Sequence, residues 1–314
     1  MTSTLTPSKT PVVRRVGDRV FSGLSTGAGV FILLVLAGVA IFLTVEGIPG
    51  ILASPDEVKS GKDFLPYVWP LVFGTLLAAT LALLMAVPVA VGVALFISHY
   101  APRKLGQALG YLIDLLSAVP SVVYGLWGIQ FLSPHMVPFY KWLDEHLGFI
   151  PFFAGPASAT GRTIMTASVV LAIMIMPIMT AICREIFLQT PRLHEEAALA
   201  LGATRWEMAR MAIFPYARSG IVSAAMLGLG RALGETLAVA MVLSVSAGTV
   251  TANLISSTNP STIAANIALS FAEASGKTVN ALIASGLVLF VITFIVNFAA
   301  RAIVNRRSEF SGAN

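Results

Sequence analysis

Residues Leu71–Ser98 read LVFGTLLAATLALLMAVPVAVGVALFIS, a run with no charged side chain and one internal proline, Pro88. A bilayer core about 30 Å thick needs roughly 20 apolar residues per helical crossing, so this run is long enough to span it. Backbone N–H and C=O groups find no water in hydrocarbon, and a helix, which satisfies them internally, is the form such a run must take. Comparable runs recur at 26–45, 115–132, 163–183 with Pro177 inside, 221–247 and 279–300. The expected fold is therefore all-α: a polytopic membrane protein with six transmembrane helices in one domain over 26–303, flanked by tails 1–25 and 304–314.

Composition points the same way. The chain is 56% hydrophobic and only 11% charged, whereas a soluble domain carries about a quarter charged residues. The net charge of +5 sorts by membrane side rather than marking a nucleic-acid partner. With six crossings, 14 lysines and arginines fall on the side of the termini, five fall opposite, and Arg231 stays inside a span. The positive-inside bias then makes both termini cytoplasmic. The first run is expected to be a retained helix, because Glu46-Gly47-Ile48-Pro49 does not read as a signal cleavage site. A seventh crossing over 249–271 would strand Arg301, Arg306 and Arg307 outside, and that segment is rich in Ser, Thr and Asn.

The outer segment after the third run places Phe139, Trp142, Leu143 and His146 at helical spacing. It is expected to lie flat at the interface, either resting on lipid or docking an external partner, and the residues leave both readings open. Cys183 is the only cysteine, and His99, His135, His146 and His194 are scattered. No disulfide, metal site, catalytic cluster or cofactor is expected from them.

Between the fourth and fifth runs, Thr190–Glu207 reads TPRLHEEAALALGATRWE. Thr190-Pro191 suits a helix start, Gly202 a left-handed C-terminal cap, and Thr204 with Glu207 a capping box that opens a second helix. The spacing predicts a cytoplasmic elbow over 190–215: about three helical turns, a glycine corner, and a second helix kinked at Pro215. The small pair Ala197 and Ala198 would let a partner surface approach closely, and Glu196 would anchor it. The alternative is an amphipathic loop helix resting on the membrane.

The fifth run carries small residues four apart, Gly220, Ala224 and Gly228, then Gly230, Gly234 and Ala238, a pattern that allows close helix packing. Arg231 begins the eleventh position of this run, roughly 15 Å in at about 1.5 Å per residue. An arginine at that depth costs at least about 2.5 kcal/mol and must face the bundle interior or water. Glu235 follows four residues later, one turn on along a continuous helix. Two readings are open: a self-contained ion pair, or a guanidinium fork offered to a passing oxyanion. In the second, Glu235 would hold Arg231 or accept a hydrogen bond from a protonated phosphate, which sulfate cannot supply.

Glu196-Ala197-Ala198, Gly202 and Pro215 stand at the spacing of the signature of bacterial ABC importer permeases, with Ala212 and Phe214 where the signature has Ile and Leu. Two further stretches, Ala118–Gly128 (AVPSVVYGLWG) and Gly228–Thr236 (GLGRALGET), resemble the C-type permeases of phosphate-specific (Pst) importers, over about residues 20 to 305. Sulfate and molybdate permeases share the Arg-Ala-Leu-Gly-Glu run but usually carry Phe where this chain has Thr236.

The resemblance implies a type I ABC importer permease fold in the bacterial cytoplasmic (inner) membrane. It further implies a channel-forming subunit that is not itself an enzyme, moving inorganic phosphate by binding-protein-dependent transport. Expected partners are an ATP-binding subunit dimer, a sister permease in a heterodimer, and an extracytoplasmic phosphate-binding protein. By the same resemblance Arg231 and Glu235 line the substrate pathway, while Glu196, Ala197, Ala198 and Gly202 contact the ATPase. Gly276-Lys277-Thr278 mimics the end of a nucleotide-binding loop, but Phe271 occupies the place of its first glycine. An ion-coupled secondary anion transporter is the alternative of another class, and it would need more embedded acids than Glu235.

Overall fold

A computed structural model describes residues 16–246, 248 and 250–308. Residues 1–15 of the N-terminal tail, with Lys9, Arg14 and Arg15, and 309–314 of the C-terminal tail lie outside the described residues. The chain is almost wholly helical, and among the described residues the only β-type pairing is one bridge between Val245 and Asn259.

Among the described residues twelve α-helices follow in order. α1 is Val16–Ile51, α2 Phe64–Leu95, α3 Arg103–Ser117, α4 Ser121–Trp127 and α5 Ser133–Leu147. α6 is Ile164–Leu188, α7 Arg192–Ala200, α8 Arg205–Met208 and α9 Phe214–Gly234. α10 is Leu237–Val242, α11 Ile263–Ser270 and α12 Lys277–Ser308. Wide π-type turns at Phe96–Tyr100, Gly128–Leu132 and Ala209–Ile213 extend α2, join α4 to α5 and join α8 to α9. Among the described residues five helical stretches are long and apolar enough to cross a membrane, and the pair Arg103–Ser117 and Ser121–Leu147, bent by 92°, makes a sixth when taken as one span.

Three expected runs take a different form. The stretch 115–132 is broken at Ala118–Pro120, because Pro120 lacks an N–H and its ring disfavours helical backbone at Val119. The outer aromatic segment is helical but not separate from the run before it. It is α5, continuous with α4 through the π turn, and its Leu143 turns into the core while Phe139 and Trp142 stay exposed. The stretch 221–247 is interrupted after Gly234, resumes as α10 and ends its helix at Val242.

The core forms where α2 runs along α6. Ala78, Ala82, Ala86, Ala90 and Ala94 are all nearly or completely buried, a small residue on every turn. Lipid is as apolar as leucine, so helices gain little by hiding greasy surface from it. Close backbone approach through small residues, with its dense van der Waals contact, is what holds them together. Large apolar side chains such as Phe31, Leu33 and Phe298 accordingly point outward.

α1 and α12 pair in the same way. A Cβ built on Gly47 would meet Ala284 Cα at 3.1 Å, and one on Gly50 would meet Ala281 N at 2.3 Å. Asn280 Nδ2 donates to Glu46 O at 2.7 Å beside this contact. On the same side, ion pairs Lys59–Glu273 (2.6 Å) and Lys277–Glu57 (2.7 Å) tie the connecting loops together. Both are well exposed, and such pairs contribute little.

Gly50→Ala is expected to push α1 off α12 and lower the stability of the detergent-purified protein by about 1–3 kcal/mol. Gly38→Ala, which meets nothing within 4 Å, serves as the neutral control in thermal unfolding.

Candidate functional site

The break at the end of α9 is the chemical centre of the molecule. Gly230 and Gly234 are poor helix formers, and Glu235 leaves the helix with φ −69° and ψ 127°. Its carboxylate then turns forward, and Oε1 accepts a hydrogen bond from Ala238 N at 3.1 Å. Glu235 is thus buried and committed to the first turn of α10, where the helix dipole favours a negative charge.

The one-turn relation between Arg231 and Glu235 assumed a continuous helix, and the break removes it. Among the described residues Arg231 makes no ion pair and no side-chain hydrogen bond. It is half-buried on the last turn of α9, close enough to Tyr124 for its charge to act on the phenol. Tyr124 Oη in turn donates to Leu116 O at 3.0 Å, across the break between α3 and α4.

The first stretch singled out by resemblance packs, through α4, on α10, which directly follows the second stretch. A Cβ on Gly125 would stand 2.9 Å from Ala238 Cα, and one on Gly128 would stand 2.8 Å from a Val242 methyl and 2.7 Å from a Val170 methyl. Only glycine lets the backbones approach this closely. Of the small-residue series on α9, Gly220 and Gly228 pack on Ile186 and Met179 of α6, whereas Gly230 and Gly234 meet nothing within 4 Å. The helix therefore has one closed flank and one open flank beside Arg231.

Arg162 escaped the sequence reading, which counted it only as an outer-side charge. Its Nε donates to Val242 O (3.4 Å), and its Nη2 donates to Met241 O (3.2 Å) and Leu243 O (3.4 Å). These carbonyls close the C-terminal end of α10. Nothing in the local pattern around Arg162 signals that role, because the partners lie about eighty residues away.

The elbow forms a second site. α7 begins at Arg192 after Pro191, Gly202 adopts φ +86°, and its N–H donates to Leu199 O at 3.0 Å. Thr204 Oγ1 accepts from Glu207 N (3.3 Å), while Glu207 Oε2 accepts from Thr204 N (2.8 Å), completing the capping box.

Glu196 and Ala197 are exposed, and Ala198 is half-buried against an inner cluster that includes Met208 and Ile213. Leu193 is 74% and Leu201 89% exposed, two apolar side chains left largely uncovered by the described residues. Behind them, Glu195 Oε1 lies 3.3 Å from His99 Nε2 at the end of α2. Trp206 and Phe187 each stand edge-on to Phe214, with ring centroids 6.0 Å apart.

The family described as binding-protein-dependent transport system inner membrane component matches residues 86–309. The chain is 45% identical to the phosphate transport system permease protein PstC 2 of Mycobacterium tuberculosis, over 92% of each chain. It is 38% identical to the phosphate transport system permease protein PstC of Xylella fastidiosa, over 99% of this chain and 100% of that one. Among solved structures it resembles a bacterial ABC transporter involved in the import of the acidic polysaccharide alginate (TM-score 0.54, 17% identity, 92% of this chain and 99% of that one). It also resembles the MetNI methionine ABC transporter in inward-facing form (TM-score 0.52, 18% identity, 77% and 95%). These likenesses to solved structures concern the fold alone.

An L side chain in left-handed backbone costs about 1–2 kcal/mol, so Gly202→Ala is expected to loosen the elbow. Faster amide exchange over 192–208 in the purified protein would register it, with Gly202→Asn intermediate because asparagine tolerates that conformation.

Proposed function

The chain belongs to the binding-protein-dependent transport system inner membrane component family, and we propose that it is the channel-forming, C-type permease subunit of an ATP-driven importer of inorganic phosphate. It is a multi-pass protein of the cytoplasmic membrane. In this reading the chain hydrolyses no ATP; a dimer of separate ATP-binding subunits does so. A sister permease completes the passage as a heterodimer, and an extracytoplasmic phosphate-binding protein delivers the cargo. Both termini and the elbow face the cytoplasm.

The observation that carries the cargo assignment is the separation of the two embedded charges. A self-contained pair would have Glu235 neutralising Arg231. Glu235 instead caps α10, and Arg231 keeps its donors free of protein partners among the described residues. A guanidinium presents five N–H donors in a planar fork that matches two oxygens of a tetrahedral oxyanion. It stands beside the open flank of Gly230 and Gly234, where a sister helix can form the opposite wall. The phosphate thus passes by exchanging water for a positive fork whose donors no carboxylate of the described residues occupies.

Energy enters at the elbow. Glu196 and Ala197 offer a charged anchor and a close-approach surface, Ala198 backs them from the inner cluster, and Gly202 makes the corner. The exposed Leu193 and Leu201 fit an apolar groove on the ATPase. Displacement of α7 reaches α2 through the Glu195–His99 contact and reaches α9 through the joined helices α8 and α9.

Arg231→Gln, in cells lacking their own phosphate uptake and at equal membrane abundance, is expected to cut uptake by at least about tenfold, a loss of roughly 1.4 kcal/mol of transition-state stabilisation. The ATPase subunits should remain bound; unimpaired uptake would return Arg231 to a structural role.

The carboxylate that caps α10 retains a second oxygen able to accept a hydrogen bond donated by a protonated phosphate hydroxyl. Glu235→Gln is therefore expected to narrow the preference for phosphate over sulfate in competition uptake, and an unchanged ratio would remove Glu235 from discrimination.

A further inference from the structure

α10 has six residues, too few for a helix to persist by its own hydrogen bonds. Its last carbonyls have no partners further along the helix, because Leu243 turns to extended backbone. Both ends are nevertheless held, each by a charge of the sign the dipole favours. Glu235 holds the first turn through Ala238 N at 3.1 Å. Arg162 holds the last turn through the carbonyls of Met241, Val242 and Leu243 at 3.2 to 3.4 Å.

Arg162 is itself fixed in place. Gly161 before it adopts φ +69°, and Thr163 after it caps α6 by accepting from Thr166 N. The Arg162 carbonyl accepts from Ser244 N (3.4 Å) and from Nδ2 of the fully buried Asn259 (3.3 Å). Asn259 Oδ1 accepts from Ile164 N at 3.0 Å, so the start of α6 and the segment after α10 share one hydrogen-bonded corner.

From this geometry we infer that Arg162 is a positioning residue for anion passage: it anchors the far end of α10 to the corner of α6 and so fixes where Glu235 and the last turn of α9, with Arg231, stand. The inference rests on the reading of Arg231 and Glu235 as part of the cargo path. If the Arg162 side chain lets go, the last carbonyls of α10 lose their donors and its last turn is held through Ser244, by the Arg162 carbonyl and Asn259. The Glu235 cap and the Arg231 fork, one connection away, then lose their common reference. Lysine is a poor substitute, because one ammonium on a different stem cannot reproduce a fork reaching three carbonyls.

The test uses the complete complex, with ATPase subunits, sister permease and binding protein, reconstituted in liposomes, and reads phosphate moved per ATP hydrolysed and per assembled complex. Arg162→Gln is expected to lower phosphate moved per ATP by about tenfold, the equivalent of losing one favourable charge at a helix end, with hydrolysis and assembly retained. Arg162→Lys should lie between that variant and wild type. Because both residues act on one helix, combining Arg162→Gln with Glu235→Ala should do no more damage than the worse single change.

Three results would overturn the positioning role: transport per ATP within about twofold of wild type for Arg162→Gln, independent multiplication of the two losses in the double variant, or fewer complexes that each transport normally. Arg231→Gln run alongside separates the two claims. Normal transport there sinks the cargo-path reading, whereas its loss together with normal Arg162→Gln transport sinks only the role of Arg162.

Discussion

Hydrocarbon offers no hydrogen bonds, so any interruption of a helix within a spanning bundle must be resatisfied by the protein itself. That constraint governs the break between α9 and α10. The Ala238 N–H opened at the start of α10 is met by Glu235, and the carbonyls opened at its end are met by Arg162. The packing follows from the same requirement. α4 closes on α10 at Gly125 and Gly128 because a short segment tied only at its ends needs a wall against its side. One acidic and one basic side chain therefore make an interrupted span tolerable, and the interruption is what leaves Arg231 without a counter-ion among the described residues.

The elbow was largely legible in the sequence because its determinants are local. Pro191, Gly202, Thr204 and Glu207 act on backbone within a few residues of themselves, and the structure has the corner and the capping box at those positions. Four of the six expected runs, 26–45, 71–98, 163–183 and 279–300, were legible as lengths of uncharged sequence and fall on long apolar helices, for lipid imposes composition directly.

The break at Glu235 was not, since an uncharged run interrupted by two embedded charges reads equally as one helix. Whether a carboxylate at position 235 looks back one turn to Arg231 or forward to Ala238 depends on backbone angles that composition does not encode. Arg162 was hidden for a different reason: its three acceptors are main-chain carbonyls, which every residue possesses, and no pattern marks which of them an arginine will find. His99 and Glu195 likewise become partners only when α2 and α7 meet.

The pairing of α1 with α12 bears on how the chain is built. The hydrogen bond from Asn280 to Glu46 joins groups 234 residues apart. At a synthesis rate of 5–20 residues per second, roughly 10–50 s pass between the emergence of the first helix and that of its mate. Throughout that interval α1 has almost none of its neighbours and must remain a stable solitary occupant of the bilayer. Its long uncharged body serves that waiting period as much as the finished fold, and a nascent chain cut short before position 280 leaves its first helix without the contact at Gly47 and Gly50 that would seat it.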